Sequence, residues 1–173
     1  IAYLTDMDGV LHREGDMIPG ADEFISRLRA EDIPFMVLTN NSMQTPRDLS
    51  AKLTRMGLHI EPERIWTSAT ATAKFLSQQA GEASAYVIGE AGLTTALHEM
   101  GWILTDSDPD FVVLGETRTY SFEALTTACN LILRGSRFIA TNPDLTGPGP
   151  NGVIPATGSV AAMITAVTGR DPY

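Results

Sequence analysis

Apolar residues in this chain fall into short unbroken runs, separated by longer stretches where they recur every three or four positions. "IAYLTD" (1–6) and "IPFMVLTNN" (33–41) read as buried strands, and the second ends in small polar residues. Between them, "PGADEFISRLRAED" (19–32) carries Phe24, Ile25 and Leu28 at helical spacing. "TPRDLSAKLTRMG" (45–57) is a helix with both ends marked: Thr45 as N-cap, Pro46 at the first helical position, Gly57 past the last. "RIWTS" (64–68) predicts a short third strand and "SATATAKFLSQQA" (68–80) a helix capped by Ser68. Further on, "SAYVIG" (84–89), "DFVVLG" (110–115) and "RFIAT" (137–141) predict strands. "AGLTTALHEMG" (91–101), "SFEALTTACNLILRG" (121–135) and "ATGSVAAMITAVTG" (156–169) predict helices.

Strands alternating with helices imply mostly parallel sheets joined by right-handed crossovers. The fold class expected is therefore α/β, with a doubly wound parallel sheet whose carboxyl ends carry the site. "GEASA" (81–85) is the best candidate for a domain boundary. "NPDLTGPGPNGVIP" (142–155) is rich in Gly and Pro and is expected to stay irregular.

A length of 173 residues fits one ordinary domain, or one domain carrying an insertion, and 43% hydrophobic residues can build its core. No apolar run reaches the eighteen or so residues of a membrane span, and no basic leader precedes the first strand. The abrupt start on a strand-like run suggests that a few leading residues are missing. A net charge of −9 disfavours nucleic acid and anionic membrane as partners. It does not exclude a phosphorylated small molecule, because a bound metal reverses the local field. The lone cysteine, Cys129, excludes an internal disulfide and makes the cytoplasm the expected compartment.

The first run ends in a chemical oddity. "AYLTDMDGVLHREG" (2–15) closes with Asp6 and Asp8, and Gly9 follows at once. Two like charges beside an apolar strand cost free energy and raise each other's pKa. An arbitrary D-x-D-G is more often a solvated turn. Here the second run ends in "LTNN" (38–41), and adjacent strands would bring the two ends together. Two acids, the Thr39 hydroxyl, the Asn40 and Asn41 amides and the flexible Gly9 backbone then share one place. Such a set offers hard oxygens to a divalent cation and donors to a phosphoryl group.

"DMDGVL" followed by "LTNN" resembles the first two motifs of the haloacid dehalogenase superfamily of phosphatases. "DGVL", "TNN", "IATNPD" (139–144) and "GVIPATGS" (152–159) resemble its NagD-like branch, and the likeness covers essentially the whole chain. That branch acts on nucleotides, sugar phosphates, phosphoglycolate or 4-nitrophenyl phosphate. The resemblance implies that Asp6 is the nucleophile forming an aspartyl-phosphate, and that Asp8 protonates the leaving oxygen and later activates water. It implies Mg²⁺ held by the Asp6 carboxylate and the Asp8 main-chain carbonyl. Thr39 and Asn40, with Asn41 beside them, would hold the phosphoryl oxygens, helped by backbone amides around Met7 to Gly9. It also implies an α/β cap inserted into the core: residues 1–82 as the first part of the core, 83–169 as the cap, and 170–173 as the start of the return. Asn142 and Asp144 are the cap residues expected nearest the substrate. A homodimer through the cap is plausible on the same ground.

The resemblance leaves a gap. A phosphoryl-neutralising lysine and a further acidic pair should follow the cap, but the only lysines are Lys52 and Lys74, inside helices that precede it. The expected reading is a fragment, which as it stands binds metal poorly and turns over slowly or not at all.

Weaker signals point elsewhere. "GPGPNG" (147–152) matches G-x-G-x-x-G but does not open a helix, so it is discounted as a nucleotide site. "DSDPD" (106–110) begins like a calcium loop, yet Phe111 and Thr117 stand where Gly and Glu are needed. Cys129 reads as a buried inert thiol, Met7 as core, and His59 and His98 as surface or satisfied residues. His12, just after the acids, is expected near the site rather than in the chemistry. Two other readings remain open: a phosphoryl-accepting signalling module, and a non-catalytic binding domain that keeps only the fold. Acids on strand one and a cap-sized insert argue against the first, and intact Asp6 and Asp8 against the second.

Overall fold

A computed structural model describes every residue except Glu14, Glu82 and Pro150. The share of the expected boundary that falls on Glu82, and of the 147–152 loop that falls on Pro150, lies outside the described residues. The chain divides into two compact units, Ile1–Asn40 with Gln44–Thr67, and Asn41–Met43 with Ser68–Tyr173.

The first unit runs β1 (Tyr3–Asp6), β2 (His12–Arg13), β3 (Asp16–Met17), α1 (Ala21–Ala30), β4 (Phe35–Thr39), α2 (Pro46–Arg55), a 3₁₀ turn at Pro62–Arg64 and β5 (Ile65–Thr67). Three strands form a parallel sheet in the order β1-β4-β5, with Asp6 opposite Leu38 and Thr39 opposite Thr67. Parallel pairing puts the carboxyl ends of all three at one edge. Strands β2 and β3 form a small antiparallel ribbon. The core gathers Met7, Leu11, Ile25, Leu28, Val37, Leu49, Leu53 and Ile65. Each such aliphatic side chain contributes about 1.5–3 kcal/mol when fully buried.

Helix α2 begins as its sequence demands. Thr45 accepts from the Asp48 N–H at 3.2 Å, and Asp48 accepts from the Thr45 N–H at 3.2 Å, closing a capping box with Pro46 at the first helical position. Among the described residues β1 pairs with β4 alone, and Leu4 is 72% exposed.

The second unit runs α3 (Ser68–Gln79), β6 (Ser84–Ile88), α4 (Ala91–Glu99), β7 (Ile103–Leu104), β8 (Phe111–Leu114), α5 (Phe122–Arg134), β9 (Arg137–Ala140), β10 (Thr146–Gly149), β11 (Gly152–Pro155) and α6 (Thr157–Thr168). Its parallel sheet has the order β7-β6-β8-β9. All four residues of β8 are buried because both faces are covered. Phe111 and Val113 pack with α3 and α4 through Ala73, Leu76, Leu93 and Leu97. Val112 and Leu114 pack with α5 and α6 through Leu131, Ile132, Ala161 and Ile164. This is the α/β, doubly wound arrangement that the alternation predicts.

Two features differ from the sequence reading. Helix α3, assigned there to residues 1–82, packs with the second unit: Ala69, Ala73 and Leu76 lie on one helical stripe and join the β6–β8 core. The 142–155 segment is not irregular throughout. Residues 146–149 and 152–155 pair as an antiparallel hairpin, Gly147 opposite Ile154 and Gly149 opposite Gly152. Glycine permits that closeness, since a Cβ on Gly149 would lie 2.6 Å from Ile154 Cγ2. No helix among the described residues is long and apolar enough to cross a membrane.

Candidate active site

Alternation along β1 and just past it fixes where the acids go. Met7 is 1% exposed and plugs the core with Leu11, so Asp6 and Asp8 on either side face outward. The chain then turns sharply. Leu11 N–H donates to Met7 O at 3.0 Å, and Gly9 N–H to His12 O at 2.8 Å. Gly9 holds φ +80°, a conformation that L side chains rarely adopt. Asp6 Oδ1 accepts from the Met7 N–H at 2.8 Å, which limits rotation of that carboxylate.

The parallel β1–β4 register carries Thr39 to the same edge. Its hydroxyl donates to Asp8 Oδ2 at 3.2 Å. On the other side His12 Nε2 stands 3.3 Å from Asp8 Oδ1, outside hydrogen-bond geometry, while Nδ1 has no hydrogen-bond partner among the described residues. His12 is 3% exposed, whereas the Asp8 side chain is 60% exposed. Burial, then the Lys52 ammonium, push the His12 imidazole below its ordinary pKa, and Asp8 pulls the other way. Asp6, Asp8, Thr39 and Asn40 line one cleft with Leu4, Thr5 and Leu38.

The structure thus brings four of the expected site residues together. Others are placed differently. Met7 and Gly9, expected to offer N–H groups to a phosphate, direct them to Asp6 Oδ1 and His12 O. Asn41 is absent from the cleft lining, and its Oδ1 accepts from the Met43 N–H at 3.0 Å, a local turn. Asn142, expected at the substrate, is buried, and its Oδ1 accepts from the Asp144 N–H at 3.0 Å. That hydrogen bond closes a turn after β9 and gives Asn142 a structural task. Asp144 itself is exposed. Sequence reasoning placed Thr39 with the acids and His12 near them, but did not name the contact that each makes with Asp8.

Two carboxylates so close at a strand end suit a hard cation. Mg²⁺ is commonly held by one or two carboxylates, with water and substrate phosphate completing its shell. Among the described residues no group of three or more His, Cys, Asp or Glu is placed to hold a metal. The two carboxylates therefore offer part of a cation shell and no all-protein cage. Asp106, Asp108 and Asp110 belong to no such group either. Asp110 accepts from Ser84 N–H and Oγ at 2.9 and 2.8 Å, and Asp106 and Asp108 are exposed.

A parallel α/β sheet ending in this pair of acids, next to a Thr-Asn strand end, defines the class. The chain belongs to the haloacid dehalogenase-like hydrolases, whose family model matches residues 3–103. Along its whole length it is 71% identical to the dihydroxyacetone phosphatase of Corynebacterium glutamicum (strain R), covering 63% of that protein. It is 40% identical over 170 residues to the ribonucleotide monophosphatase NagD of Escherichia coli (strain K12), covering 98% of this chain and 66% of NagD. The chain thus spans somewhat less than two thirds of these relatives. Among solved structures, a Pyrococcus horikoshii OT3 protein superposes with a TM-score of 0.95 at 36% identity, over 99% of this chain and 69% of that one. NagD from E. coli K-12 gives 0.91 at 40% identity, over 99% and 67%. The chain is therefore NagD-like within the family.

Proposed function

We propose that the native protein is a Mg²⁺-dependent phosphatase of small phosphorylated metabolites, working through an aspartyl-phosphate on Asp6. The observation that carries this reading is the single cleft lined by Asp6, Asp8, Thr39 and Asn40. The Asp6 carboxylate attacks phosphorus while the bond from phosphorus to the leaving oxygen breaks, and Asp8 delivers its proton to that oxygen. Asp8, now a carboxylate, takes a proton from water as the water oxygen attacks the phosphorus. The bond to Asp6 breaks, inorganic phosphate leaves, and both acids return to their starting state. Thr39 and Asn40 supply donors for the phosphoryl oxygens. Mg²⁺, held by the Asp6 carboxylate and the Asp8 carbonyl, would neutralise phosphoryl charge.

The second unit is proposed as the cap that selects the substrate, with exposed Asp144 as the residue to test. The 71% identity to a dihydroxyacetone phosphatase supports a three-carbon keto phosphate ahead of a nucleotide. The charge-neutralising lysine and second acidic pair are assigned to the part of the native protein that corresponds to the relatives' remaining length. With a net charge of −9, the protein is proposed to act in the cytoplasm without nucleic acid or membrane.

The test is phosphate release by the full-length native protein from dihydroxyacetone phosphate, a nucleoside monophosphate and 4-nitrophenyl phosphate. Each is run with and without EDTA, beside Asp6→Asn. Activity abolished by both treatments, and highest on dihydroxyacetone phosphate, is the expected outcome. Turnover that survives Asp6→Asn would overturn the mechanism. No release from any substrate by a folded, Mg²⁺-loaded protein would overturn the assignment.

A further inference from the structure

We infer that His12 is a positioning residue, which together with Thr39 clamps the Asp8 carboxylate in the orientation that proton transfer needs. This inference rests on the phosphatase reading and deepens it. Asp8 sits past the end of β1, and its side chain is 60% exposed. Thr39 Oγ1 donates to Oδ2 at 3.2 Å. His12 Nε2 stands 3.3 Å from Oδ1 on the other side. A carboxylate touched on both oxygens cannot swing freely about its Cβ–Cγ bond.

The placement of His12 is itself held from several sides. It opens β2, its N–H reaches Met7 O at 3.4 Å, and its carbonyl accepts from the Gly9 N–H at 2.8 Å. Burying an imidazole with neither nitrogen hydrogen-bonded among the described residues costs free energy, so an apolar residue would suit that pocket better for stability alone. Among the described residues, the ion-pair partner within 4 Å of the imidazole is Asp8. Hydrogen bonds of catalytic groups are often long without ligand and shorten when substrate binds. The 3.3 Å separation of Nε2 and Oδ1 is short enough for such a bond to close.

The expected consequence depends on the leaving group. Alkyl phosphates expel a strongly basic alkoxide and need the proton from Asp8. 4-Nitrophenyl phosphate expels a stable phenolate and needs it little. Positioned acid catalysis contributes about 10²–10⁴-fold, and a misplacement of about 1 Å can cost about 10²-fold. Misorienting Asp8 should therefore lower kcat/KM for an alkyl phosphate roughly tenfold to a hundredfold, and for 4-nitrophenyl phosphate by less than about threefold. The ratio matters because kcat/KM reports the first, phosphoryl-transferring step.

The experiment compares native full-length protein with His12→Leu and His12→Gln. The substrates are dihydroxyacetone phosphate as the alkyl phosphate and 4-nitrophenyl phosphate as the aryl one, and melting temperatures are measured alongside. The expected result is a selective loss on the alkyl substrate in His12→Leu, largely restored in His12→Gln, whose amide can again donate. Equal losses on both substrates, or none, would overturn the role of His12. A purely structural role would lower both in step with the melting temperature and would not distinguish Leu from Gln. Absence of turnover on both substrates in the unmutated protein would instead overturn the phosphatase reading, and so is distinguishable from failure of this one.

Discussion

Gly158→Ala tests how α6 is seated on the loop that follows β9. A Cβ at Gly158 would lie 2.2 Å from the Pro143 carbonyl oxygen, 2.6 Å from its carbon and 2.7 Å from the Asp144 oxygen. All three are backbone atoms, and their segment is tied down. Gly158 N–H donates to Asp144 O at 2.8 Å, Ala156 N–H donates to Leu145 O at 3.1 Å, and Asn142 holds the Asp144 N–H. Replacing a helical glycine by alanine otherwise stabilises by about 0.5–1 kcal/mol. Overpacking against a neighbour that cannot yield costs about 1–3 kcal/mol, and losing the Gly158–Asp144 hydrogen bond about 1 more. The clash wins, with a net loss of about 2 kcal/mol. For a chain of this size that lowers the melting temperature by about 4–8 °C. Gly89→Ala is the control, because the new Cβ meets the end of the Leu93 side chain at 3.0 Å rather than backbone. It should shift the transition by less than half as much. The assay is differential scanning calorimetry of the 173-residue chain. A Gly158→Ala protein that melts at or above the parent would refute the reasoning, and so would a larger loss in the control.

Thr45→Ala removes the α2 capping box and should cost about 1 kcal/mol at pH 7. Hydrogen bonds from Thr45, the hydroxyl first and the N–H second, hold the Asp48 carboxyl below its ordinary value. A depressed carboxyl adds stability above its unfolded pKa and loses it as pH falls through the folded one. The gap between mutant and parent in denaturant titrations should therefore narrow below about pH 4, and a gap that widened there would contradict the assignment. Burial pushes the Cys129 thiol above its ordinary pKa, so Ellman's reagent should label it far more slowly in the native than in the unfolded chain. Stoichiometric labelling of the native chain within seconds would contradict that. Tyr120→Phe deletes the hydroxyl that donates to Gly115 O at 2.9 Å and should cost about 1 kcal/mol in chemical denaturation. An unchanged midpoint would count against that bond.

Much of the fold was legible because local signals and tertiary packing agree. Helix α2 carries its own start and stop, and the β8 run has the unbroken apolar character that two covered faces require. The places where the reading missed are those where partners, not propensities, decide. Thr146–Gly149 and Gly152–Pro155 are poor strand formers, yet pairing across the hairpin supplies hydrogen bonds that neither segment signals alone. The Ala69–Ala73–Leu76 stripe of α3 could have served either unit, because an apolar face does not name the sheet it will cover.

The site divides along the same line. That Asp6 and Asp8 face outward while Met7 is buried follows from the two-residue period of a strand, so a single quoted motif sufficed to see it. That Thr39 reaches Asp8 depends on the register that sets Asp6 opposite Leu38, and neither apolar run carries a mark that fixes it. His12 depends on a third thing, the turn set by Gly9, which folds the chain back so that an imidazole four residues on comes to lie beside the acid. Residue type therefore reveals which chemistry is available at the strand ends. Only register and turn geometry reveal that Asp8 lies between the Thr39 hydroxyl and the His12 imidazole, while Asp6 accepts from the Met7 N–H. It is this asymmetry between Asp8 and Asp6 that supports assigning them different tasks.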